Sequence, residues 1–166
     1  DGLSERELLE LLDHESEYIR SWAIYFIVAN RSASADAIRR FAQLAKTDGS
    51  ALVRLYLASA LQRVGIGDRW DVLTGLLAHP EDAADHNLPM MVWYAAEPVV
   101  PLDPARALGA AADTKLPKVF TFAVQRVAAV GTQDALRVLT DRLGRTTDPA
   151  QRLDLVDGIT QIVGKR

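Results

Sequence analysis

The chain has 166 residues, 49% of them hydrophobic and 25% charged, which is the composition of one globular domain with a sizeable core. A net charge of −3 with no basic stripe argues against a nucleic-acid or anionic-membrane partner, and no apolar run is long enough for direct membrane insertion. The absence of cysteine excludes disulfides, thiol catalysis, cysteine-held zinc and covalent haem attachment within this chain.

Alanine and leucine dominate the apolar set while aromatics stand at 7%, which favours helix over sheet. Ser4 with Glu7 three residues on forms a capping box for a first helix, with Leu8, Leu11 and Leu12 on one face. A break at His14-Glu15-Ser16 leads into a second helix over Glu17 to Ala29, with Ile19, Ala23, Ile24 and Ile27 inward. The third spans Ala35 to Lys46 and is closed by Asp48-Gly49-Ser50. A fourth covers Ala51 to Val64, and Gly65 and Gly67 end it. Asp68 is placed as the cap of a fifth helix running to Leu77, stopped by His79-Pro80. Asp85 or Asn87 caps a sixth, with Pro89 in its first turn and Pro98 near its far end. Asp103-Pro104, Leu116-Pro117, Thr132 and Asp148-Pro149 open the last four; the eighth ends at Gly131, the ninth covers Ala135 to Leu143 and the tenth runs to about Val163.

Ten helices pair into five hairpins, at about 4–29, 35–64, 68–100, 104–130 and 132–163, with short polar links and no strand-like alternation. Ile19-Arg20 recurs as Val53-Arg54, and Leu88-Pro89 as Leu116-Pro117. A two-helix unit repeating about every thirty residues means hairpins that bury their faces against their neighbours, a stacked solenoid. The chain opens at Asp-Gly-Leu-Ser, which reads as a fragment excised from a larger protein.

Asp48 followed six positions later by Arg54 resembles the HEAT-repeat signature, in which such a pair forms a ladder along the stack. The first hairpin keeps Arg20 but has His14 where the aspartate belongs, the later hairpins lose the pair, and no hairpin has the first-helix proline of eukaryotic units. Tetratricopeptide repeats share the period, but their first-helix Trp, Gly and Tyr positions are missing. The expectation is an all-α, right-handed α-solenoid of about five HEAT-like hairpins.

A narrower resemblance joins Val53-Arg54-Leu55, Ala58 to Arg63, Arg69-Trp70, His79 with Glu81-Asp82, Asp85 with Asn87-Leu88-Pro89, and Trp93-Tyr94 with Glu97-Pro98. These look like the HEAT-repeat region of planctomycete-type membrane-bound dehydrogenase proteins. In that family a sugar-dehydrogenase-like propeller precedes the repeats and a c-type cytochrome domain follows. The resemblance implies a periplasmic or secreted parent with oxidoreductase parts, haem c elsewhere in the parent, and no cofactor in this chain.

The stretch from Asp82 to Val100 holds the least generic chemistry. His79, Asp82, Asp85 and His86 could hold a metal, since imidazole and carboxylate suit zinc, iron or manganese. The competing reading is a cap by Asp85, a turn at Glu81-Asp82 and solvated histidines. Aligning the two Leu-Pro starts sets Glu97 beside Arg126, which predicts an ion pair between stacked helices. Trp93, Tyr94 and Glu97 are otherwise a ligand or partner surface.

In register, Trp22, Tyr56 and Met91 form one row across the inner face and Tyr25, Ser59 and Tyr94 another. Such enrichment suits both a protein-binding groove and packing between repeats. Met90 and Met91 could ligate haem iron or copper, against core packing on an apolar helix. No serine–histidine–acid set, Gly-rich phosphate loop or HExxH motif occurs, and the nearest acid–base pair is Asp82 with Asp85. The function expected is a non-catalytic scaffold and protein-interaction module that spaces dehydrogenase-like and cytochrome-like domains or docks another polypeptide. The rivals are a metal- or substrate-binding part of the parent's site around residues 79–97, and a stand-alone regulatory repeat protein. With flanking units missing, Leu8–Leu12 and Ile159–Val163 are expected to expose apolar surface.

Overall fold

The computed structural model describes residues 2–30, 32–114 and 116–164. Among these, ten α-helices and three short 3-10 turns make up the regular structure and no strand is present, so the fold is all-α. The helices are α1 (Glu5–Leu11), α2 (Glu17–Ile27), α3 (Ala35–Thr47), α4 (Ala51–Leu61), α5 (Trp70–Leu76), α6 (Leu88–Ala96), α7 (Pro104–Ala112), α8 (Pro117–Val130), α9 (Gln133–Arg145) and α10 (Pro149–Val163).

Most starts follow local chemistry. Ser4, Ser34, Ser50, Asp103, Thr132 and Asp148 each accept a hydrogen bond from a first-turn amide, and the Ser4–Glu7 box is complete. Gly131 closes α8 in the left-handed region at φ 71°, where a side chain would be strained. Asp68 departs from expectation. It lies inside a 3-10 turn, Ile66–Asp68, and α5 begins after Arg69 with no side-chain cap. The Asp68 amide donates to the Gly65 carbonyl at 3.0 Å, and this tight turn takes up the residues that precede the helix. Another 3-10 turn, Pro80–Ala84, fills the expected loop between α5 and α6.

The even-numbered helices pack in succession, α2 on α4, α4 on α6, α6 on α8 and α8 on α10, while α3 packs along α5 and α7 on α9. Helix ends are tied across hairpins as well. The last carbonyls of an odd-numbered helix lack partners within it, and the following hairpins supply them. His79 Nε2 reaches the Ala45 carbonyl at 2.8 Å, Thr114 Oγ1 donates to Leu77 at 3.0 Å, and Gln151 Nε2 donates to Ala112 at 3.0 Å.

Phe41, Leu57, Leu61, Phe120 and Leu139 anchor the interior. Leu8 and Leu12, expected to be bare, are buried instead, and Ile159 is half-covered. Exposed apolar surface falls on Tyr18, Ile19, Trp22 and Phe26 of α2, and on Leu153, Val156 and Val163 of α10. No helix among the described residues is long and apolar enough to cross a membrane.

The α3–α5 contact has no room to spare. A Cβ on Gly75 would lie 2.8 Å from Ala45 Cβ and 2.9 Å from its backbone carbon. Gly75→Ala should therefore destabilise by about 1–3 kcal/mol through forced backbone movement. Gly109 of α7 has nothing within 4 Å of the same position, so Gly109→Ala should stabilise by about 0.5–1 kcal/mol through helix propensity. Urea midpoints of the two variants shifting in the same direction would refute this packing.

Candidate functional site

Of the four side chains proposed as a metal cluster, Asp82, Asp85 and His79 are each engaged separately. Asp82 is almost fully buried and takes a paired contact from Arg54, Nε to Oδ2 at 2.6 Å and Nη2 to Oδ1 at 2.5 Å. Asp85 accepts the amides of Asn87 and Leu88, both at 2.8 Å. Those bonds, Leu88's first, hold its carboxyl below the ordinary aspartate range. Of the two caps expected for this helix, Asp85 therefore supplies the side chain, and Asn87 makes no capping bond. His79 is fixed between the Ala45 carbonyl and Glu81, whose carboxyl is lowered by its own backbone amide and then by His79. His86 is exposed and lines a groove described below. No group of three or more His, Asp or Glu that could hold a metal occurs among the described residues.

Asp82 belongs instead to a pair of like arginine–aspartate links, called the ladder below. Arg20 grips Asp48, Nε to Oδ2 at 2.7 Å and Nη2 to Oδ1 at 2.9 Å, and Arg54 grips Asp82 in the same way. Both pairs are separated by 28 residues. Each arginine turns its third nitrogen to the carbonyl six residues before it, His14 for Arg20 and Asp48 for Arg54. The carboxylate of Asp48 thus serves the preceding hairpin's arginine, and Arg54 meets only its backbone. The link runs between neighbouring hairpins. Asp82's hydrogen bond, the largest influence, raises the Arg54 guanidinium above its usual range.

The ladder stops at Leu88, which stands where an arginine would. The next tie is Glu97 to Arg126, as expected from the aligned Leu-Pro starts, and both side chains are partly exposed. A cation that sequence reasoning missed as a structural element lies nearby. Arg69 is buried, donates twice to the Val64 carbonyl at 3.2 Å and once to Ala95 at 3.1 Å, and has no carboxylate partner among the described residues. Burial pushes its guanidinium below the usual range, and the carbonyl ends of α4 and α6 offset that cost.

The predicted rows meet in one groove of about 560 Å³ that crosses α2, α4 and α6. Tyr25, Tyr56, Ser59, Met91 and Tyr94 all line it, and Trp22 sits at its edge with its ring 6.4 Å from that of Tyr56. Trp22 also stacks on Phe26, with ring centroids 5.6 Å apart. Met90 and Met91 are half-buried and line the groove, and Met91 also packs against the core as expected. Arg63 and His86 join the lining and were not foreseen. Arg63 lies four positions past Ser59, one turn further on the same face, and its guanidinium covers the Tyr25 ring at 5.2 Å.

Trp93 departs from its expected companions. It faces α8, with its ring 5.5 Å from Phe122, and borders an interior gap of only about 20 Å³ shared with Trp70. Trp93 and Glu97 are therefore interface residues between stacked helices, whereas Tyr94 faces the groove. No protein-family model and no curated protein matches this chain in sequence.

Two outcomes check this geometry. Removing one member of the buried pair, by Arg54→Met or Asp82→Asn, should cost about 3–5 kcal/mol, because the survivor is left buried and uncompensated. The double variant should recover a large part of that loss in urea denaturation. Additive losses would refute the coupling. Asp85 gives a pH signature: a carboxyl held low stabilises the fold above its ordinary range and loses that contribution as pH falls below about 4. Asp85→Asn keeps an acceptor for the two amides, so the acid limb of its stability–pH curve should be flatter than that of the parent. An unchanged limb would remove Asp85 from the account.

Proposed function

We propose that the chain is a non-catalytic helical-repeat module, a right-handed HEAT-like solenoid of five hairpins that docks a protein segment in its inner groove. The observation that carries this reading is the groove itself. Three consecutive inner helices present Tyr25, Tyr56, Tyr94, Met90 and Met91 to one concave space, with Arg63 and His86 among its lining. Aromatic and methionine side chains give large, adaptable contact area, which suits a protein ligand. The solenoid reading is supported by the succession of even-numbered helices and by two arginine–aspartate links at identical spacing.

The resemblance to the repeat region of membrane-bound dehydrogenases supplies a context for the partner. The docked segment would belong to a neighbouring dehydrogenase-like or cytochrome-like domain, in an exported assembly. The repeats then set the distance between those domains while the groove fixes one of them.

A library of random twelve-residue peptides selected on the intact chain tests the docking reading. Selected peptides should shift amide resonances of α2, α4 and α6 and bind at least tenfold more weakly to Tyr56→Ala and Tyr94→Ala. Selected peptides that map to another face, or whose affinity ignores both substitutions, would refute it.

A further inference from the structure

Arg152 repeats half of the ladder. Its Nη1 donates to the carbonyl of Thr146, six residues earlier, at 2.9 Å, as Arg20 does to His14 and Arg54 to Asp48. The remaining half differs. In the two inner cases Nε and Nη2 close on an aspartate 28 residues further along, and no carboxylate among the described residues pairs with Arg152.

The surface beside it is unfinished in the same register. Four positions past the ladder arginine stand Ile24, Ala58 and Val156. The first two are 0% exposed and Val156 is 44% exposed. One position past it stand Ser21, Leu55 and Leu153, of which only Leu153 is exposed, at 63%. Further along α10, Val163 is open too. A cation whose Nε and Nη2 meet no carboxylate among the described residues, at the edge of an apolar stripe, is a polar anchor beside a dry contact.

We infer that the outer face of α10 is a stacking site for a helical hairpin that carries an aspartate in its inter-helix turn. The carboxylate closes on Arg152, as Asp82 closes on Arg54, and the hairpin's second helix covers Leu153, Val156 and Val163. The charge complement is defined by Arg152 and the apolar complement by the stripe. The existing stack fixes the geometry, since α10 already packs on α8 as α4 packs on α2. This rests on the repeat reading above. That reading fails separately, if Arg54 and Asp82 prove uncoupled, whatever is placed on α10.

The test extends the intact chain with a copy of its own residues 35–64 after Arg166, which sets the copied aspartate 28 positions past Arg152. Hydrogen exchange is then read at the amides of α10. The extension should slow exchange around Leu153–Val163 at least tenfold. Asn in place of the copied aspartate, or Arg152→Gln in the extended chain, should abolish most of that gain. Unchanged exchange, an extension that stays unfolded, or an asparagine copy that protects equally would overturn the proposal. So would concentration-dependent head-to-tail association of the unextended chain that Leu153→Asp abolishes, because the occupant would then be a second copy.

Discussion

Arg54, a residue only 1% exposed, sits where a charge is costly to keep, and the turns on either side of it supply what makes it tolerable. Asp82 supplies two charge-assisted bonds and the Asp48 carbonyl a third, so the guanidinium meets three acceptors in the fork geometry that suits it. Those three acceptors come from the turn before α4 and the turn before α6. One side chain therefore fixes the offset between two hairpins. A hydrophobic pair could match its stability, but apolar surfaces slide, and a paired fork does not. The physical content of the ladder is register.

Register decides where side chains end up. With α2, α4 and α6 locked by Arg20 and Arg54, the residues at matching positions become neighbours, which is why Tyr25, Ser59 and Tyr94 share one groove despite their distance in sequence. Beyond Leu88 the lock changes character. Glu97 and Arg126 form a partly exposed tie, and the packing of Trp93 on Phe122 takes over the work of aligning α6 with α8. An aromatic wedge positions helices through shape where the earlier hairpins use charge.

This division explains what could be read from residues alone. Caps are local, so Ser4, Asp103, Thr132 and Asp148 announce their helices correctly, and the Glu97–Arg126 pair follows from aligning two Leu-Pro starts. Asp82 was read as a metal candidate because its partner lies 28 residues upstream, and nothing within its own loop hints at an arginine. The recurrence of the Arg20–Asp48 interval as Arg54–Asp82 is present in the sequence, but it acquires meaning only with α2, α4 and α6 packed in succession. Trp93 and Tyr94 are adjacent, and on a helix adjacent residues diverge by about 100°. Treating the two as one surface ignored that angle, and the structure separates them, one into the α6–α8 seam and one into the groove.

The depth of the groove has a further cause, in size rather than charge. Across the row Tyr25, Ser59, Tyr94, the middle helix contributes the smallest side chain, and Ala60 beside it is smaller still. Two tyrosines therefore stand as walls over a floor set by α4, and Arg63 caps one wall by lying on the Tyr25 ring. A tyrosine in place of Ser59 would continue the row and fill the space that the three helices leave open. The ladder demands that α4 hold its place between α2 and α6. Given that constraint, a small residue at position 59 turns an aligned stack into a stack with a cleft. The cleft is a property of one position read against its two neighbours, each more than thirty residues away.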